Sequence, residues 1–150
     1  MVLRLFGLVL ASCGGSPESR LDIPAPYAVH STLVVDAQPK KLPASFYRSA
    51  SGAEPVRDWL RALTGNDRKI LGYDIGLVEF GWPVGMPLCR PLGGGLLEIR
   101  SSLEGNRVAR VIFCITDGSM ILLHGFIKKT RKAPKTDLDL ARDRQKEVAR

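Results

Sequence analysis

Apolar residues recur with helical spacing in the middle of the chain, and further on the rhythm changes to that of strands. Val56, Trp59, Leu60 and Leu63 stand at i, i+3, i+4 and i+7, which predicts one apolar stripe on a helix. Ser51-Gly52-Ala53-Glu54 ahead of it has the form of a capping box, with Pro55 tolerated in the first turn. Thr64-Gly65-Asn66-Asp67 ends that helix and caps a second. The second helix places Leu71, Ile75 and Val78 on one side, with Ile70 and Leu77 adjoining. It stops at Gly81, because Pro83 forbids continuation. Together they predict a helical hairpin whose shared apolar face needs a partner.

Strand rhythm supplies that partner. Leu96–Ser102, Asn106–Thr116 and Ser119–Lys129 are strand candidates joined by tight turns at Glu104-Gly105-Asn106 and Asp117-Gly118. Ala109, Val111, Phe113 and Ile115 alternate onto one face, and Met120–Ile127 is almost wholly apolar. Ser45-Phe46-Tyr47-Arg48 is a short strand ahead of the helices. Leu88–Leu92 adds an edge that Pro87 and Pro91 weaken. Thr136-Asp137-Leu138-Asp139 caps a C-terminal helix that is polar almost throughout. The fold class is α+β: a helical hairpin packed on one face of a small antiparallel sheet, with a C-terminal helix. Helices gathered on one face leave the other sheet face open.

The first 35 residues stand apart. Arg4, the apolar run Leu5–Leu10 and Leu10-Ala11-Ser12-Cys13 look like a bacterial lipoprotein signal, in which Cys13 would carry lipid. The run is far too short to span a bilayer. From Gly14 to Leu33 the chain scatters Ser, Pro and Gly without a period, as a disordered extension would. A misassigned start is the other reading, with initiation within Leu33-Val34-Val35, since no methionine lies between Met1 and Met86. On either count the working domain is 36–150, cytoplasmic unless Cys13 anchors the chain to a membrane.

Charge sharpens the picture. The chain carries 22 Lys and Arg against 15 Asp and Glu. Arg4 and Arg20 cancel Glu18 and Asp22 in the first segment, leaving 20 basic and 13 acidic residues in 36–150. Such an excess favours polyanions. Cys13, Cys89 and Cys114 are widely spaced and have only His30 and His124 as nitrogen companions. They make neither a disulfide framework nor a zinc site, so no metal or cofactor is expected. Glu98 and Arg100 share a face of the first meander strand, and Arg107 and Arg110 stand in the next. Arg110 interrupts an apolar run, so it is either paired, with Glu98 the candidate, or exposed. Lys128, Lys129, Arg131, Lys132 and Lys135 crowd the end of the last strand.

Several longer motifs point to one family. Ser45-Phe46-Tyr47-Arg48, Glu54-Pro55-Val56-Arg57-Asp58-Trp59-Leu60 and Glu79-Phe80-Gly81-Trp82-Pro83-Val84-Gly85-Met86-Pro87 resemble the phage-derived, HigB-like branch of the RelE/ParE toxin superfamily. So do Arg90-Pro91-Leu92-Gly93, Leu97-Glu98-Ile99-Arg100-Ser101-Ser102 and Leu123-His124-Gly125-Phe126-Ile127-Lys128-Lys129-Thr130. The resemblance runs from about Pro39 to Glu147. It implies a RelE-like fold and the toxin of a type II toxin–antitoxin system. Many such toxins are ribosome-dependent endoribonucleases that cut mRNA and are silenced by a cognate antitoxin. It further implies that Arg110 stabilises charge on the scissile phosphate, with Arg100 in the preceding strand and Lys129 closing the last one. Fixed cations suit a reaction in which a 2′-hydroxyl attacks phosphorus and negative charge builds on phosphate oxygens. Arg90, Arg107, Lys128, Arg131 and Lys132 are candidate RNA contacts. The family often uses a C-terminal tyrosine, histidine or lysine for proton transfer, yet no tyrosine follows Tyr73. Glu98, His124 and Lys129 are the candidates left for that role. The alternatives are a non-catalytic toxin of the topoisomerase-poisoning branch and an inactive phage-derived nucleic-acid-binding protein.

Overall fold

In a computed structural model the chain divides into two units, 1–35 and 36–150. The structure describes residues 39–128 and 135–149, all in the second unit. The N-terminal segment with Cys13, and Lys129, Arg131 and Lys132, lie outside the described residues.

A five-stranded sheet has the order β1-β5-β4-β3-β2, with β1 Ala44–Phe46, β2 Cys89–Gly93, β3 Leu96–Leu103, β4 Arg107–Thr116 and β5 Ser119–Lys128. Between β1 and β2 come α1 (Pro55–Ala62) and α2 (Gly65–Gly81), and α3 (Lys135–Val148) closes the chain. The hairpin carries the chain from one sheet edge to the other, and the meander then works back. That path brings β5 beside β1 running the same way, so the sheet is mixed rather than antiparallel.

Local chemistry accounts for most of the boundaries. Thr64 caps α2, its Oγ1 accepting from the Asp67 amide at 3.2 Å, and Pro83 follows directly on the C-cap Trp82. The capping box expected at Ser51 does not form. Gly52 sits at φ +84°, outside any right-handed helix, and α1 begins at Pro55 with Glu54 as an N-cap that makes no side-chain capping bond. Glu54 instead holds Arg57 and Arg48, at 2.7 and 2.8 Å. At the other end of the chain, α3 starts at Lys135, which puts Thr136 inside its first turn rather than at its cap.

Val56, Leu71, Ile75 and Val78 from the hairpin bury themselves against Ile99, Ala109, Val111, Phe113 and Leu122. Ile115, at the end of the same alternation, emerges into solvent. The second face is not left open. Ala141 of α3, with Leu138 and Val148, packs on Tyr47, Leu96, Ile112, Cys114 and Leu123. Central β4 is therefore covered on both faces over much of its length, which is why Ile112 and Cys114 are apolar as well as Val111 and Phe113. A bulge in β5 adjusts the fit: the register runs Ile112 with His124 and then Phe113 with Leu122. The extra residue, Leu123, joins the α3 cluster beside Phe126.

Candidate functional site

Strand parity and register gather the basic residues that α3 does not cover. Arg100 of β3 lies directly opposite Arg110 of β4. Glu98 is two residues along β3 and is the cross-strand partner of Arg90. On the far side of Arg110 comes Phe126, with Lys128 two residues beyond it. Side chains two apart share a face, so Arg90, Glu98, Arg100, Arg110 and Lys128 belong to one surface spread over four adjoining strands.

Glu98 is the hub. It is fully buried, and its Oε2 accepts from Arg110 Nη1 at 2.8 Å while Arg100 Nε stands 4.0 Å from Oε1. Arg110 itself is only 4% exposed, so of the two readings of this arginine the structure takes the paired one. Arg100 is about a third exposed, at 32%, and Arg90 is exposed. Like charges facing each other across a ladder destabilise it, and burying cations costs more still. One carboxylate among several cations offsets only part of that.

Lys128 is the least expected member. It is 7% exposed, and its Nζ makes no hydrogen bond. Burial lowers its pKa from the ordinary lysine range, and the Arg110 charge lowers it further. Glu98 acts in the opposite sense, while Arg100 and Arg90 add to the lowering.

Other sequence candidates go elsewhere. Arg107 falls on the hairpin side, clamped in two bonds to Asp67 of α2 at 2.8 and 3.0 Å, and is not brought to the cluster. His124 is tied to α3: its Nε2 lies 2.8 Å from Asp137 Oδ1, and Arg144 Nη1 reaches its Nδ1 at 3.4 Å. Arg144 also donates to the Leu123 carbonyl at 2.7 Å and lies over the Tyr47 ring, whose hydroxyl bonds Glu147. Cys89 and Cys114 are both buried, and burial pushes both thiols up, away from nucleophilic character. Among the described residues no cluster of His, Cys, Asp and Glu is grouped to hold a metal ion. Nor is any helix among them long and apolar enough to cross a membrane.

The sequence profile of the phage-derived protein Gp49-like family matches residues 58–146. The chain belongs to that family. The Gp49-like family is related to the RelE- and HigB-like toxins of toxin–antitoxin systems, and the mixed α+β sheet of this chain is consistent with a RelE-like fold. No curated protein matches the chain. The matched span of this Gp49-like chain takes in Arg90, Glu98, Arg100, Arg110, His124 and Lys128.

Proposed function

We propose that this chain is the toxin of a type II toxin–antitoxin system and acts as a ribosome-dependent mRNA endoribonuclease. The observation that carries the reading is the direct pairing of Arg100 with Arg110 on a face that also holds Arg90 and Lys128. A sheet built for stability alone gains nothing from opposed guanidiniums. A phosphodiester whose charge grows as it reacts is stabilised by them. In the proposed reaction Arg110 and Arg100 hold the phosphate oxygens, Arg90 contacts the neighbouring backbone, and a ribose 2′-hydroxyl attacks phosphorus. The cognate antitoxin covers the same face with acidic groups, so that inhibition is competition for these cations.

The test is cell-free translation with the full chain added, followed by mapping of the mRNA ends. The reading requires cuts within translated codons that disappear when ribosomes are omitted. Intact mRNA with translation undisturbed would sink it. One observation favours a second reading: Arg110 is buried in its pair with Glu98. A non-catalytic, topoisomerase-poisoning toxin leaves the arginine so engaged, and its signature is DNA-damage signalling without mRNA cleavage.

A further inference from the structure

We infer that Lys128 is the group that takes the proton from the attacking ribose hydroxyl, a role that rests on the endoribonuclease reading above. A proton acceptor for this step needs a free lone pair beside the cations that hold the phosphate. Of the other candidates described, Glu98 also has an oxygen, Oε1, that makes no hydrogen bond, but it is the one carboxylate among these cations. A proton on it would remove the charge that Arg110 is paired with at 2.8 Å, in a site where uncompensated cations are costly. His124 has both ring nitrogens engaged, by Asp137 and Arg144, and serves to pin α3 to the bulge of β5. Lys128 is enclosed, shares the face of Arg110 and Arg100, and has an Nζ with no hydrogen-bond partner.

A lysine placed for structure is paired or reaches to solvent, because an enclosed ammonium without a partner is costly. The groups facing Lys128 are Arg90 of β2, Glu98 and Arg100 of β3, and Arg110 of β4. They bring three positive charges against one negative. That surrounding favours the neutral amine, which is the form a base requires. In the step itself the Nζ lone pair accepts the 2′-hydroxyl proton as the 2′-oxygen bonds to phosphorus. The bond from phosphorus to the 5′-oxygen breaks, and that oxygen takes a proton from water. The hydroxide left behind removes the proton from Lys128, so the amine is restored. The products are a 2′,3′-cyclic phosphate and a 5′-hydroxyl end, with no co-reactant beyond water.

Single-turnover cleavage of ribosome-bound mRNA by the full chain tests the assignment, with wild type, Lys128→Arg and Lys128→Ala compared. Lys128→Arg keeps the charge but cannot titrate. It is expected to bind programmed ribosomes as wild type does and to cleave at least about 100-fold more slowly. Lys128→Ala should regain cleavage in proportion to added methylamine. The wild-type rate should rise with pH to a plateau, with a midpoint below the ordinary lysine value of 10.5, and Lys128→Arg should lose that limb. Cleavage by Lys128→Arg within about threefold of wild type would assign Lys128 to charge alone and overturn the inference. In that outcome the endoribonuclease reading survives. If the wild-type chain cuts nothing, both fall together.

Discussion

The indole of Trp59 lies so close to the backbone of Gly125 that a Cβ at residue 125 would meet its Cε3 and Cζ3 at 2.4 Å. Trp59 belongs to α1, and Gly125 stands in β5 between His124 and Phe126, whose side chains face the opposite way. This contact seats the helical hairpin on the strand that also carries Lys128.

Gly125→Ala should therefore destabilise the protein by about 1–3 kcal/mol or more, as overpacking of a closed contact does. Chemical denaturation measures it. Trp59→Leu in the same chain opens space and should recover part of the loss. Equal midpoints for Gly125→Ala and wild type would show that the indole moves aside without cost.

Arg110 carries the phosphate-holding role in the proposed function. Arg110→Lys leaves Glu98 a cation but removes the planar fork. Induction of that variant should no longer arrest growth, at soluble abundance equal to wild type. Arg110→Ala is the poorer probe, because a buried carboxylate stripped of its guanidinium costs about 3–5 kcal/mol. Full toxicity of Arg110→Lys would remove the fork geometry from the mechanism.

Acid should weaken the tie between α2 and the start of β4. The Arg107 guanidinium holds the Asp67 carboxyl below its ordinary value, with a smaller contribution from the Thr64 amide-capping hydroxyl, while burial opposes them. A carboxyl whose folded pKa is depressed adds stability above its unfolded value near 3.8, and that stability is lost as pH falls through the folded value. Urea midpoints for wild type should drop between pH 5 and pH 2 by more than those of Asp67→Asn. Parallel curves for the two proteins would place the acid-labile group elsewhere.

Tyr47 joins the first edge of the sheet to the last helix through Glu147 and the guanidinium of Arg144. Tyr47→Phe should cost about 1 kcal/mol, the ordinary net value of one such bond. Hydrogen exchange should locate the effect: amides of α3 lose protection while those of α2 keep theirs. Uniform loss across both helices would mean that α3 opens only with the whole domain.

Much of the architecture was legible in the residues alone, because it follows from local rules. The i, i+3, i+4 stripe of α1, the Thr64 cap and the stop at Gly81-Trp82-Pro83 are set by backbone sterics and neighbouring side chains. Asp117-Gly118 marks its hairpin because both residues take positive φ, at 50° and 70°. Parity also assigned Glu98 and Arg100 to a common face. Where local signals competed, sequence reasoning erred: Ser51 has the letters of a capping box, but Gly52 at positive φ and Pro55 at the first helical position place the start later.

The candidate site was another matter, since it depends on what lies across the sheet rather than along the chain. Register alone sets Arg100 opposite Arg110, and the seat of α2 on the other face puts Asp67 in reach of Arg107, whose opposite side of the strand the pleat already fixes. The parallel seat of β1 on β5, the bulge at Leu123 and the packing of a largely polar α3 on the second face are equally non-local. Sequence by itself determined which residues are basic and which face of each strand they take. Only the tertiary structure decided that Lys128 is enclosed without a partner among Arg90, Glu98, Arg100 and Arg110. The reason is physical: burial and electric field are sums over neighbours that the fold brings from four strands, and no single segment contains them.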